Sequence, residues 1–428
     1  MGGTLSLAPS LQASYNQSVS LTLSDIQAAR KRLSGLIHET PLLHDTALSQ
    51  ELGVAVYTKA ENLQRAGSFK VRGAYNKISQ LSPEEKARGV VAPSAGNHAQ
   101  GVAVAAKMHG VKATIVMPTF APLTKVMATK GYGAEVVLEG HSFDDAAAIA
   151  RQLEQTKGYV PVHAFNDYLI MAGQGTIGLE ILESLPEVSV LVVPIGGGGL
   201  ISGIATAAKA LKPEVRVVGV QAAGCSAVKP SLEAGHPVAV PEAQTIADGI
   251  AVKRPGDLTL PIIRERVDQV VEVTDDEIAR GIVHCVQKSK LVVEGAGAAG
   301  VAALLAGKLS LKPGDTVCTV LCGGNIDGNL LARVIEQVLV RQGRYILLKL
   351  AVVDRPGALA AVVERVAQAK ANIIDIFHRR ALWLAPLGKV GVELVLEVRD
   401  QAHGLEVVEL LRKAGYSVEQ EGPFVWPE

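Results

Sequence analysis

Between residues 21 and 340 the chain repeats one pattern: a short apolar run rich in β-branched residues, a loop of small residues, then an alanine-rich stretch of helical character. GVVAPSAGNHAQGVAVAAKMHG, from Gly89, reads as strand, loop, helix, and the VKATIVMP that follows reads as another strand. VSVLVVPIGGGGLISGIATAAKAL, from Val188, and DTVCTVLCGGNIDGNLLARVIEQVLV, from Asp315, repeat it. Strands that alternate with helices imply an α/β protein with a parallel sheet covered on both faces. Ligands of such sheets bind at the carboxyl ends of the strands. The loops after Pro93, Pro194 and Leu321, all rich in Gly, Ser or Asn, are therefore expected to face one crevice.

After RQGR, residues 341–344, which read as a linker, the character changes. RYILLKLAVV, NIIDIFHRR, VGVELVLEV and YSVE read as strands, with PGALAAVVERVAQAK and QAHGLEVVELLRKAG as helices between them. That order, βαββαβ, predicts a separate ferredoxin-like unit over residues 345–428. With 428 residues, two or three domains are expected. Lys+Arg and Asp+Glu both total 42, so no net field draws the chain to nucleic acid or an anionic membrane, and a small-molecule partner is the default. No apolar run is long enough to span a bilayer. Residues 1–20 lack the marks of a secretory or mitochondrial leader and are expected to form a disordered tail. Cysteines 225, 285, 318 and 322 make no CxxC pair, which fits a reduced, cytoplasmic protein without a zinc site.

Four features could carry chemistry. Lys70 lies between Phe69 and Val71 ahead of a predicted helix. An amine in apolar surroundings has the lowered pKa that Schiff-base chemistry needs, although most lysines are solvated surface. Gly196, Gly197, Gly198 and Gly199 follow a strand and lead into a helix at Leu200. Their N–H groups could close on one compact phosphate, and the alternative is a tight turn. The run is neither of the two nucleotide-binding glycine fingerprints. Ser94, Ala95, Gly96, Asn97 and His98 also open a helix, as an anion site or as an N-cap. Cys322 ends an apolar strand, and buried structural cysteine is the commoner role.

GSFKVRGAYN, SAGNHAQG, GQGTIGLEI, GGGGLISG, TIADGIAV, EGAGAAG and CGGNID occur in this order. Together they resemble the threonine dehydratase (threonine ammonia-lyase) family of fold-type II, tryptophan synthase β-like enzymes that use pyridoxal 5′-phosphate. The resemblance covers about residues 21–340 and implies a smaller subdomain inserted at roughly 60–155, while residues 345–428 resemble a regulatory ACT domain. It implies that Lys70 binds the cofactor as a Schiff base and later moves the α-proton. Phe69 would pack beside the ring and Asn97 would hydrogen-bond its 3′-oxygen. Gly196 to Leu200 would cradle the phosphate, Cys322 would face the ring nitrogen, and Ser94 to His98 would hold the substrate carboxylate. The implied reaction turns L-threonine into 2-oxobutanoate and ammonia, and L-serine into pyruvate, in a homodimer or homotetramer.

Three departures shape these expectations. Cys322 stands where many relatives have Ser; neither group is a carboxylate, so the ring is expected to stay neutral and elimination to be favoured over transamination. Ala95 stands where serine racemases have the Ser that protonates the opposite face, which makes racemisation the rival activity. Gln221 stands where some relatives have a metal-binding Glu, so no metal is expected there. A non-catalytic amino-acid sensor is the other alternative. The ACT resemblance suggests isoleucine or valine as effector, bound near Asp354-Arg355-Pro356-Gly357 and Asn372, with Arg379 and Arg380 as surface charge.

Overall fold

The computed structural model describes residues 21–379 and 387–421. The expected tail at 1–20 and the surface charge expected of Arg380 lie outside them, as does the side chain of Arg379. The chain divides into two compact units, Met1–Asp327 and Gly328–Glu428. The division falls earlier than the expected linker at 341–344: the helix Gly328–Arg341, placed by sequence in the first region, groups with the second unit, where it packs on the strand Tyr345–Val353.

The first unit holds two sheets. Strands β1 (Leu42–His44), β2 (Ala55–Lys59), β3 (Val90–Pro93), β4 (Ala113–Met117), β5 (Glu135–Leu138), β6 (Val160–Pro161), β7 (Val190–Pro194), β8 (Arg216–Ala222), β9 (Gln269–Val273) and β10 (Thr316–Val320) follow in chain order. The larger sheet runs β1-β2-β10-β7-β8-β9 and the smaller β5-β4-β3-β6. Every pairing is parallel except β1 with β2. The four runs expected as strands are β3, β4, β7 and β10. Buried on both faces, β4, β7 and β10 read as continuous apolar or β-branched runs. The smaller sheet lies wholly between β2 and β7 in sequence, and its insertion extends past the expected 155 to Pro161.

The helix Lys70–Ser79 is wedged against two others. Ala74 and Ile78 join Val102 and Ala106 of the helix Asn97–Met108 and Ile115 and Met117 of β4 in one core cluster. The crossing is backbone-close: a Cβ on Gly101 would lie 2.9 Å from the carbonyl carbon of Lys70. On the opposite side the Lys70 helix meets the helix Tyr168–Ser184. The N-terminal end of the Lys70 helix is thereby fixed by packing rather than by a side-chain cap, since Phe69 makes none.

The second unit has β11 (Tyr345–Val353), β12 (Asn372–Arg379), β13 (Lys389–Glu397) and β14 (Val418–Glu421), ordered β12-β13-β11-β14 and antiparallel throughout. Helices Ala358–Gln368 and Gln401–Lys413 bury Val362, Val366, Val407, Val408 and Leu411 against β11 and β13. This is the expected ferredoxin-like plan. Its first helix does not start on Pro356: Gly357, in the left-handed region at φ 84°, precedes Ala358. Among the described residues no helix is long and apolar enough to cross a membrane.

Candidate active site

The loops after β3, β7 and β10 do converge. Asn97, opening the helix after β3, donates from Nδ2 to Glu294 Oε1 at 2.5 Å, and Asn325, beyond β10, donates to Asn97 Oδ1 at 2.8 Å. Phe69 N donates to the Cys322 carbonyl at 3.2 Å, and Ser68 bridges Gly323. The loop after β7 joins through two neighbours. A Cβ on Gly196 would touch Ile250 Cα at 3.1 Å, while one on the adjacent Gly249 would lie 3.1 Å from Glu294 Oε1.

Lys70 Nζ donates to the Ala164 carbonyl at 2.9 Å and lies 5.2 Å from the Phe69 ring centre. Burial disfavours its ammonium and pulls the pKa from 10.5 to about 8, with Cys322 and Glu294 pulling the other way. Cys322 is buried, and burial together with Glu294 pushes its thiol well above the ordinary range, so it stays S–H. The remaining thiols, Cys225, Cys285 and Cys318, are free and buried.

The glycine run is close-packed. A Cβ on Gly197 would lie 2.4 Å from Phe165 ring atoms, and one on Gly199 would lie 2.9 Å from Phe165 Cα. Gly198 has φ 96° and caps the helix Gly199–Leu211 without a side chain. Thr259 Oγ1 and the Gly256 N–H donate to the Gly197 carbonyl at 2.7 and 3.2 Å, which orients that peptide. In the Ser94–His98 loop, Ser94 Oγ accepts from Gly96 N and Ala99 N at 3.2 and 3.3 Å. Ser94 thus satisfies two N–H groups at the start of the helix, but the N-cap position is held by Gly96, not by Ser94 or Asn97, and neither Gly96 nor Ala95 brings a side-chain polar group. His98 is buried, and its Nε2 donates to the Val162 carbonyl at 2.7 Å. Burial, then the charge of Lys70, lowers its pKa to about 3, so the ring is neutral, and with Nε2–H committed to Val162 the only N–H left for an anionic ligand is that of the backbone.

Several residues at or beside the site went unforeseen. Glu294 and Asn325 sit inside EGAGAAG and CGGNID; a lone acid before a helix of small residues was the available signal. Behind Lys70 lies a buried charge cluster. Arg72 Nε and Nη2 donate to Glu61 at 2.8 and 2.7 Å, Nη1 donates to Glu180 at 2.5 Å, and Lys59 Nζ meets Glu180 at 2.6 Å. Two cations and two carboxylates balance there, and Arg72 is 0% exposed. Gln221 is fully buried, accepting from Ser226 Oγ at 3.2 Å and Val228 N at 2.9 Å.

A lysine amine of lowered pKa, bonded to Ala164 next to the Phe165 that packs on the glycine turn, suits a Schiff-base cofactor enzyme, and comparison with known proteins agrees. Residues 33–323 match the family model described as "Pyridoxal-phosphate dependent enzyme", and the chain belongs to this family. Within it, the chain is 49% identical over 398 residues to an L-threonine ammonia-lyase of Thermotoga maritima, covering 93% of this chain and 99% of that one. Threonine deaminase isoform 2 of Solanum lycopersicum superposes with a TM-score of 0.69 at 38% identity, covering 73% of this chain and 86% of that one. Maize serine racemase gives 0.71 at 36%, covering 75% and 99%.

Proposed function

We propose that the chain holds pyridoxal 5′-phosphate on Lys70 and eliminates water from L-threonine, releasing 2-oxobutanoate and ammonia, with L-serine to pyruvate as a side activity. The observation that carries this is the Lys70 amine, bonded to Ala164 beside the Phe165 that packs on the Gly197–Gly199 turn, in a chain that matches an L-threonine ammonia-lyase nearly end to end. The residues fit the cofactor: the Gly197–Gly199 surface has no room for side chains, and the amine is tuned toward its neutral, nucleophilic form. When bound, the cofactor supplies an electron sink for the carbanion left at the α-carbon.

Each residue then has a task. The N–H groups from Gly196 to Leu200, at the start of a helix, hold the phosphate. Asn97 offers an amide N–H to the ring oxygen, Phe69 packs beside the ring, and Cys322 meets the ring nitrogen as a weak S–H donor. The backbone of Ser94 to His98 binds the substrate carboxylate. Lys70 would hold the cofactor and, with its amine free and neutral, would take the α-proton as general base. Ala95 provides no acid on the opposite face, which favours elimination over the racemisation named for the maize structure. The test is 2-oxo acid release by the yellow holoenzyme, set against Lys70→Ala. Loss of colour and turnover is expected; turnover surviving in Lys70→Ala, or steady D-serine formation, would overturn the reading.

The second unit reads as an ACT domain that binds isoleucine or valine. Its turn Asp354–Gly357 is exposed, while Asn372 Nδ2 is engaged with Glu397 Oε2 at 3.3 Å. A shift of activity or melting temperature on adding either amino acid supports this reading, and no shift with either ends it. A homodimer or homotetramer is proposed, with mass by light scattering as the check. The unpaired thiols suit a cytoplasmic location.

A further inference from the structure

Glu294 stands at the N-cap position of the helix Gly295–Leu305 but does not cap it. Its carboxyl turns instead to Asn97 and is 4% exposed. It lies against the loop after β10, because a Cβ on Gly323 would fall 2.3 Å from its Oε1, and its own N–H donates to the Gly323 carbonyl at 3.1 Å. The Asn97 amide is therefore clamped at both ends. Oδ1 accepts from Asn325 and one Nδ2 hydrogen goes to Glu294, so the second N–H is the one left for a ligand. Asn325 is anchored in turn by donating to the Ala66 carbonyl at 2.8 Å, in the turn that leads to Lys70.

We propose that Glu294 is a positioning residue of this site: through Asn97 it aims the amide N–H offered to the cofactor's ring oxygen, and its carboxylate charge governs how tightly an anionic cofactor is held. The inference rests on the cofactor reading above. The groups that face Glu294 are Lys70 from its helix, Cys322 after β10, Asp248 from the turn Asp248–Ile250, and Lys125 from the helix Leu123–Gly131. Lys125 and Asp248 pair with each other. Burial first, then Asp248, raises the Glu294 pKa from 4.5 to about 7, against the pull of Asn97 and Lys125. Near neutral pH the carboxyl therefore changes charge. Neutral, it leaves Asn97 an acceptor; ionised, it would add a negative charge next to the Asn97 amide that would meet an anionic cofactor.

The experiment is titration of the full-length apoprotein with pyridoxal 5′-phosphate at pH 6 and pH 8, read by visible absorbance, for the wild type, Glu294→Gln and Glu294→Ala. Glu294→Ala is expected to weaken binding about tenfold at pH 6, the loss of one buried hydrogen bond. Glu294→Gln keeps an acceptor for Asn97 and stays within about twofold of the wild type there. Between pH 6 and 8 the wild-type affinity falls relative to that of Glu294→Gln. Wild-type affinity in Glu294→Ala, or a Glu294→Gln curve parallel to the wild type across pH, overturns the proposal. If Glu294→Ala loses its thermal unfolding transition, the pH dependence of Glu294→Gln decides alone. Failure of the cofactor reading looks different: the wild type itself takes up no cofactor, or Lys70→Ala develops the same absorbance as the wild type.

Discussion

The reactivity of Lys70 gives the sharpest test of the site. On the proposed reading its neutral amine is the nucleophile that captures the cofactor, so apoprotein reconstitution should follow the fraction of Lys70 that is unprotonated. With a pKa of about 8, roughly one amine in ten is free at pH 7. At the ordinary 10.5 only about three in ten thousand would be, so the lowered pKa should accelerate capture by about 300-fold at that pH. The dependence on pH differs as well. The rate should rise about tenfold from pH 6 to pH 7 and flatten above about pH 8.5, where an ordinary lysine would still gain tenfold per unit. Stopped-flow absorbance, with cofactor in excess and ionic strength fixed, measures this directly. A rate that climbs with unit slope through pH 10 would refute the claim that burial tunes the amine. The sign also carries to stability. The folded pKa lies below the unfolded one, so the unfolded chain binds the extra proton between about pH 8 and 10.5. The penalty for burying Lys70 in the apoprotein is thus fully present below about pH 8 and fades above it. The melting-temperature gap between Lys70→Met and the wild-type apoprotein should narrow as pH rises through that window.

Further outcomes follow from the same geometry. Arg72→Met leaves Glu61 and Glu180 short of a buried cation and should cost about 3–5 kcal/mol in denaturant unfolding. Gly198→Ala puts an L-residue at φ 96° and a Cβ 2.7 Å from Thr259 Oγ1; a loss of about 1–3 kcal/mol, together with weaker cofactor binding, is expected on titration and melting. Asp45, buried, accepts from His284 Nε2 at 3.0 Å and Ser289 Oγ at 2.8 Å as well as capping Leu48 N. Those bonds outweigh burial, the largest single influence, and hold its pKa near 2, so its contribution is complete above about pH 4 and lost as pH falls through 2. The stability gap between wild type and Asp45→Asn should close over that range in acid melts. Cys285 and Cys318, pushed by burial to about 12, should not react with an aromatic disulfide reagent at pH 8 until the protein is denatured.

What the sequence showed depended on how local each signal was. The strands β3, β4, β7 and β10 were readable because a strand buried on both faces must be apolar over its whole length, and the loop after each is short. The second unit was readable because β11 and β13 alternate and the helices between its strands are amphipathic. The short strands β1 and β6 carry too few residues for a pattern. The helix Gly328–Arg341 was assigned to the wrong side of the boundary because it continues the strand–loop–helix rhythm, and rhythm says nothing about which core an apolar face joins. The site divided in the same way. Lys70 and the glycine run announce themselves through their immediate neighbours. Glu294 is defined by Asn97, 197 residues away, and Arg72 by Glu180, 108 residues away. An acid or a base in an apolar segment is only a question in sequence, and its answer is the partner that neutralises it. Sequence was therefore most legible where a motif of adjacent residues marks a loop and least where a buried charge finds its partner far along the chain. Those charges make the site more specific than its motifs. The same glycine turn and lysine could serve several reactions, but on the proposed reading the acceptor behind Asn97, the thiol kept protonated at Cys322 and the methyl at Ala95 together leave Lys70 as the group that moves the α-proton.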